Sequence, residues 1–268
     1  MKHINGIVVL ICIVFLSSCT EYRKVLKSTD MQYKYDMALS YFKDGKFVKA
    51  YPLLEELYIV YRGTDKGEKI AYYQARCDFK MEDYMLAAHR FGQFYKNYPN
   101  SEYKEQSQFM SAFCNYKLSP KWSLDQRDTY RAIRSLQLFT IDYPNSTKID
   151  SCNTLLDELR YKIEYKEYRA AKLFFNMENY QSAQVSFDSF IKEYPASKYR
   201  EECWFLKLKS GYLLAANSVD DKKLERIELA KEAYVNFVDR FPQSKWLKQA
   251  GEMYDALQKL EETTKNIS

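Results

Sequence analysis

Histidine is nearly missing from this chain of 268 residues: there are two, and only His89 stands in the body of the protein. A histidine-based metal site, or a Ser-His-Asp arrangement drawn from several histidines, is therefore not available. Glycine (7) and proline (6) are scarce as well, too few for an all-β protein built on many tight turns. Gly63 and Gly67 share a turn but lack the Gly-Lys-Ser/Thr context of a phosphate loop. Cysteine is dispersed. Cys77, Cys114, Cys152 and Cys203 make no Cys-x-x-Cys pair, and each is expected to be a small buried hydrophobe, not a disulfide partner or a zinc ligand. Charge of one sign is never collected: 41 basic and 36 acidic residues are interleaved to a net +5, without the basic stripe that a nucleic-acid groove needs. Beyond the first 18 residues no apolar run is long enough to cross a bilayer.

What the chain does hold suits helices. Leu, Lys, Glu, Ala and Tyr fill most positions, and 46% hydrophobic residues is enough to bury a core. The N-terminus carries a separate signal. Lys2 and His3 precede an apolar stretch from Ile4 to Leu16, and Leu16-Ser17-Ser18-Cys19 resembles the bacterial lipobox. In that motif the cysteine sulfur receives diacylglycerol before cleavage leaves it as the new N-terminus. Residues 1–18 are thus expected to be a lipoprotein signal peptide, Cys19 the lipid anchor, and 19–29 a polar lipidated tether. Acyl chains gain roughly 0.8 kcal/mol per buried methylene, which holds a soluble domain on a membrane.

The body repeats itself. Tyr98-Pro99-Asn100-Ser101, Tyr143-Pro144-Asn145-Ser146, Tyr194-Pro195-Ala196-Ser197 and Phe241-Pro242-Gln243-Ser244 each combine a proline that ends one helix with a serine suited to cap the next. Ahead of these prolines one register recurs: Tyr84, Ala87, Phe91, Phe94; Thr129, Ala132, Leu136, Phe139; Tyr180, Ala183, Phe187, Phe190; Ile227, Ala230, Tyr234, Phe237. A fifth copy, Phe47, Ala50, Leu54, Leu57, lies upstream, with Arg62 in the proline's place. Spacings of three and four put these residues on one helical face. Successive copies are 37, 45, 51 and 47 residues apart, so the first helices are expected to be long or their loops expanded, as at Ser119–Ser123 and in one long helix over 147–177. After Pro242, Trp246, Ala250, Met253, Leu257 and Leu260 keep helical spacing and predict a closing helix that covers the last apolar face.

This register resembles the tetratricopeptide repeat, where a small alanine allows close helix approach. The expected fold is all-α: a right-handed superhelical solenoid of five tetratricopeptide-like helix pairs plus a C-terminal cap helix. Residues 30–145 would hold repeats one to three, and 146–268 repeats four and five with the cap. Twenty-five tyrosines and sixteen phenylalanines exceed what the repeat register uses. Tyr35, Phe42, Tyr72, Phe109 and Phe113 fall at first-helix positions that would face a concave groove, where aromatics can hold apolar side chains of an extended peptide.

A lipobox, five expanded repeats and a terminal helix together resemble the BamD family of outer-membrane β-barrel assembly lipoproteins, with sharper pieces at 128–146 and at Glu167-Tyr168-Arg169-Ala170-Ala171-Lys172-Leu173-Phe174. The resemblance implies a non-catalytic adaptor, without cofactors, lipid-anchored on the outer membrane and facing the periplasm. Its implied partners are the POTRA domains of a BamA-like insertase, met through the C-terminal repeats, and unfolded β-barrel proteins, received by the N-terminal repeats. Other tetratricopeptide lipoproteins, such as a secretin pilotin or a cell-wall coordination factor, are the competing reading. Thr20, where an aspartate would retain a lipoprotein in the inner membrane, favours outer-membrane delivery.

Overall fold

The structure, a computed structural model, describes residues 21–267. Every regular element among the described residues is an α-helix. After a helical segment at 21–27 come five antiparallel pairs: α1 (Met31–Lys43) with α2 (Phe47–Tyr61), α3 (Asp65–Lys80) with α4 (Tyr84–Asn97), α5 (Lys104–Leu118) with α6 (Arg127–Asp142), α7 (Ile149–Asn176) with α8 (Tyr180–Glu193), and α9 (Arg200–Ala216) with α10 (Asp220–Arg240). The closing helix is α11 (Leu247–Ile267). Each helix packs chiefly on its neighbours in sequence, the mark of a solenoid of helix pairs.

The period-3.6 register explains the packing. Ala50, Ala87, Ala132, Ala183 and Ala230 are each 1% exposed or less, and Phe91, Phe139, Phe187 and Phe237 are fully buried. Truncating one of these phenylalanines to alanine costs about 3–5 kcal/mol, because the cavity adds to the lost transfer energy. Turns inside the pairs are held by side-chain caps and left-handed residues. Asp83 accepts from the Leu86 amide at 3.1 Å and Asn179 from Ser182 at 3.2 Å. Gly45, Glu82 and Glu178 take the positive φ that reverses the chain.

The described chain forms two compact units. The first runs to Pro120 and takes in Leu124–Leu159; the second holds Lys121–Ser123 and everything from Arg160 on. The sequence division at 145 follows the repeat period, whereas this boundary lies within α7, a continuous helix of 28 residues. The first unit has three layers of core, around Leu53, Leu54 and Leu57, around Phe91 and Phe94, and around Leu136, Phe139 and Leu159. In the second, Phe187, Leu208 and Phe237 centre one cluster and Ile227 with Leu257 another.

Three expectations change. The segment expected to be a tether is helical over 21–27, and Val25 is fully buried in the first core layer, where Tyr22 packs edge-on to Tyr41 at 5.7 Å. In the fifth pair the surplus length sits in the second helix, since α10 starts seven residues before Ile227. The turn serines cap a turn and not the following helix. Ser101 Oγ, for example, accepts from the Tyr103 amide at 3.0 Å, while the N-cap of α5 is Tyr103, which has no side-chain cap bond.

Candidate functional site

The aromatic excess resolves into a repeated device. Four residues after each junction proline, or after Arg62, one side chain lies over a ring on the preceding first helix. In the first unit Lys66 Nζ sits 5.7 Å from the Tyr35 ring centre, Tyr103 stacks on Tyr72 at 4.3 Å and 15°, and Lys148 Nζ lies 5.2 Å over Phe109. In the second, Tyr199 stacks on Tyr168 at 4.1 Å and 11°, and Trp246 on Phe205 at 5.2 Å and 7°. Stacked rings and cation–π contacts add roughly 0.5–1.5 kcal/mol each beyond area burial. Three of the five expected groove residues, Tyr35, Tyr72 and Phe109, are therefore posts on which the next repeat is set.

Two of the five are withdrawn from the groove by burial. Phe42 is 8% exposed, packed edge-on against Phe47 at 5.3 Å and Tyr73 at 4.9 Å with the Arg76 guanidinium over its ring. Tyr72 is 7% exposed beneath Tyr103. Tyr73 and Tyr103, which cover these two rings, come from neighbouring elements that the single-helix pattern does not contain.

Phe113 is different. It stands four residues after the post Phe109, and the matching places after Tyr72, Tyr168 and Phe205 are taken by Arg76, Lys172 and Lys209. Those cations each lie over a ring, Arg76 over Tyr72 at 5.7 Å and Lys172 over Tyr168 at 5.2 Å on their own helices, and Lys209 over Phe175 of α7 at 5.8 Å. Phe113 instead lies parallel to Phe109 at 6.0 Å and to Tyr116 at 5.9 Å, and 6.1 Å from Phe79 on α3. All four rings are half-buried, so α3 and α5 carry a continuous aromatic row open on one side. Lys117 borders it, 5.4 Å over the Phe113 ring.

The second unit has a face of another character. A groove of about 510 Å³ is lined by Tyr165, Tyr168, Arg169, Lys172, Leu173, Asn176 and Tyr199. Trp122 stands edge-on to Tyr165 at 5.0 Å, and Arg169 lies 5.1 Å over the Trp122 ring while donating to the Tyr165 hydroxyl at 3.0 Å. Lys172 donates to Glu202 at 2.8 Å and to the Tyr168 hydroxyl at 3.0 Å. Burial, set against the Lys172 donor, pushes the Tyr168 phenol up to about 12, so the ring stays neutral. Neither face converges on a nucleophile, and among the described residues no group of three His, Cys, Asp or Glu could hold a metal.

The family model for an outer membrane lipoprotein, YfiO, matches residues 27–183 and 170–262. The chain belongs to the YfiO outer membrane lipoprotein family. No curated protein matches the chain. The two YfiO matches overlap on 170–183, the end of α7 and the first turn of α8. Together they span all five helix pairs.

Within this YfiO-family chain the other candidates are placed as follows. Cys77, Cys114, Cys152 and Cys203 are free and buried, as expected of small core residues; burial pushes the thiols of Cys77, Cys114 and Cys203 up to about 12 and raises that of Cys152. His89 is exposed on α4. Cys19 lies outside the described residues. Sequence reasoning passed over Phe79 and Tyr116, although each stands seven residues after a post, Tyr72 or Phe109, and so on the same helical face.

Proposed function

We propose that this protein is a non-catalytic, periplasm-facing adaptor of the outer-membrane β-barrel assembly machine, of the BamD type, with the lipid carried on Cys19. Its partners are then the POTRA domains of a BamA-like insertase and unfolded outer-membrane barrel proteins. Membership of an outer membrane lipoprotein family supports the envelope role.

The observation that carries the reading is the open aromatic row Phe79, Phe113, Phe109 and Tyr116. Its rings give apolar area at little entropic cost, and an extended chain with alternate aromatic side chains can lay one of them on each gap. On this reading reception of barrel proteins falls to the N-terminal repeats, where this row lies. Contact with the insertase falls to the C-terminal repeats, where the groove around Arg169 offers a guanidinium framed by aromatic rings.

The experiment measures binding of a peptide copied from the C-terminal strand of an outer-membrane barrel, ending in an aromatic residue. Phe113→Lys, which restores the cation found in the sister repeats, is expected to weaken binding about tenfold with the fold intact. Unchanged affinity would remove the row from the reading. Isolation of the native complex tests the rest. A POTRA-bearing barrel is the expected chief partner, and a pilus secretin in its place, with bulk barrels normal on depletion, would favour the competing lipoprotein role.

A further inference from the structure

We infer that the helical segment at 21–27 is a second membrane-attachment device, which lays Arg23, Lys24 and Lys27 against the anionic phospholipid headgroups around the anchor. The inference rests on the proposed acylation of Cys19.

The segment has two unlike faces. Val25 is fully buried and Tyr22 packs against it on the first core layer, so one side is docked. Arg23, Lys24 and Lys27, spaced i, i+1 and i+4, occupy the opposite side and are all exposed. With Ser28 and the exposed Tyr33 they line one open concavity of about 500 Å³. No carboxylate lies within ion-pair distance of the three among the described residues, while Lys46, Lys34 and Lys66 nearby are engaged by Asp44, Glu56 and Gln32. Glu21 and Asp30 are the acids closest in sequence, and Asp30 is occupied in capping α1. Among the described residues no ion pair offsets the positive charge of this patch.

Chain length settles what meets it. From Cys19 to Glu21 the backbone spans at most about 7 Å, and six further helical residues add about 9 Å. If the acyl chains of Cys19 are in lipid, even Lys27 has its Cα within roughly 16 Å of the anchor, and its flexible stem shortens that gap. Arg23 and Lys24 lie nearer, within about two Debye lengths of the surface at physiological salt before their side chains reach out. Exposed Leu26 and Tyr33 flank the patch, as residues of an apolar–polar boundary do. An acyl anchor alone is a swivel. Charge on a helix docked to the first core fixes which side of repeat one faces the bilayer.

The test uses the acylated protein in vesicles of phosphatidylcholine, alone or mixed with phosphatidylglycerol, with lysine acetylation mapped by mass spectrometry. Lys24 and Lys27 should be protected severalfold relative to Lys248 in the anionic vesicles at low salt, and not in neutral ones. A chain of residues 19–268 carrying Cys19→Ser should prefer anionic vesicles, and Arg23→Gln, Lys24→Gln and Lys27→Gln should each lower that partition roughly fivefold. Lys248→Gln, with the same change in net charge, should leave it unaltered, and circular dichroism checks that every variant is folded. Equal acetylation in both vesicles, or equal partition of variant and parent, overturns the inference. So does displacement by inorganic phosphate at constant ionic strength, which would mean a discrete phosphate site. Absence of lipid on Cys19 in the native protein would instead sink the lipoprotein reading, and it is measured separately from the partition of the unacylated chain.

Discussion

Ser197 Oγ donates to Glu164 Oε1 across 2.6 Å, fastening the turn after α8 to the middle of α7. The same oxygen accepts the Tyr199 amide at 3.0 Å, which places Tyr199 over Tyr168. Ser101 with Glu68 at 2.5 Å and Ser146 with Glu105 at 2.6 Å repeat the arrangement in the first unit. One serine therefore ties the turn and seats the stacking residue, with a carboxylate acceptor that makes the bond stronger than a neutral one.

Ser197→Ala removes both bonds at a half-buried place. The expected loss is about 1–2 kcal/mol, a drop of several degrees in Tm. Glu164→Gln keeps an acceptor but loses its charge and should lose less. Calorimetry of the two variants checks the order, and equal losses would show that the serine acts on the turn alone.

Gly67 carries the first junction, where Arg62 stands in the proline's place. A Cβ there would lie 2.1 Å from the backbone oxygen of Tyr61, and backbone cannot step aside as a side-chain tip can. Gly67→Ala is expected to cost about 3 kcal/mol or more in urea unfolding. Gly251→Ala is the control, since nothing lies within 4 Å of its Cβ position, and it should be neutral or slightly stabilising.

Asp78 is 1% exposed and both of its carboxylate oxygens lack a hydrogen bond, although Arg90 Nε is 3.1 Å away. Burial pushes its carboxyl up to about 7, with Arg90 pulling down and Asp83 and Glu55 adding to the rise. From the ordinary 3.8 to about 7 the folded chain holds a proton that the unfolded chain has released. Stability from this group is therefore complete below the lower value and is lost as pH rises to the upper one. Compared with Asp78→Asn, the parent should weaken steadily between these limits and then level off. Urea midpoints for both chains across that range decide it, and parallel curves would show that Asp78 ionises normally.

How much of this was legible depended on whether a residue's partner lay on its own helix. The alanine and phenylalanine register of the second helices is a one-helix property, and Ala87, Phe91 and Phe94 are buried as their spacing demands. Phe42 and Tyr72 look the same as Phe113 along the sequence, yet the first two are covered and the third is not. What separates them is Tyr73 and Tyr103 from neighbouring elements against a flanking lysine. The segment at 21–27 is polar by count and reads as a tether, but Val25 and Tyr22 dock it on the first core layer.

The sequence by itself determined the all-helical class, the five pairs with their closing helix and the proline turns between pairs, because helical periodicity and proline act over a few residues. Only the tertiary structure decided which rings are posts and which stay open, that serine and glutamate join successive repeats, and that the basic segment at 21–27 is docked on the first core layer. Those outcomes rest on contacts between residues some 20 to 40 positions apart, a separation at which side-chain identity no longer predicts who meets whom.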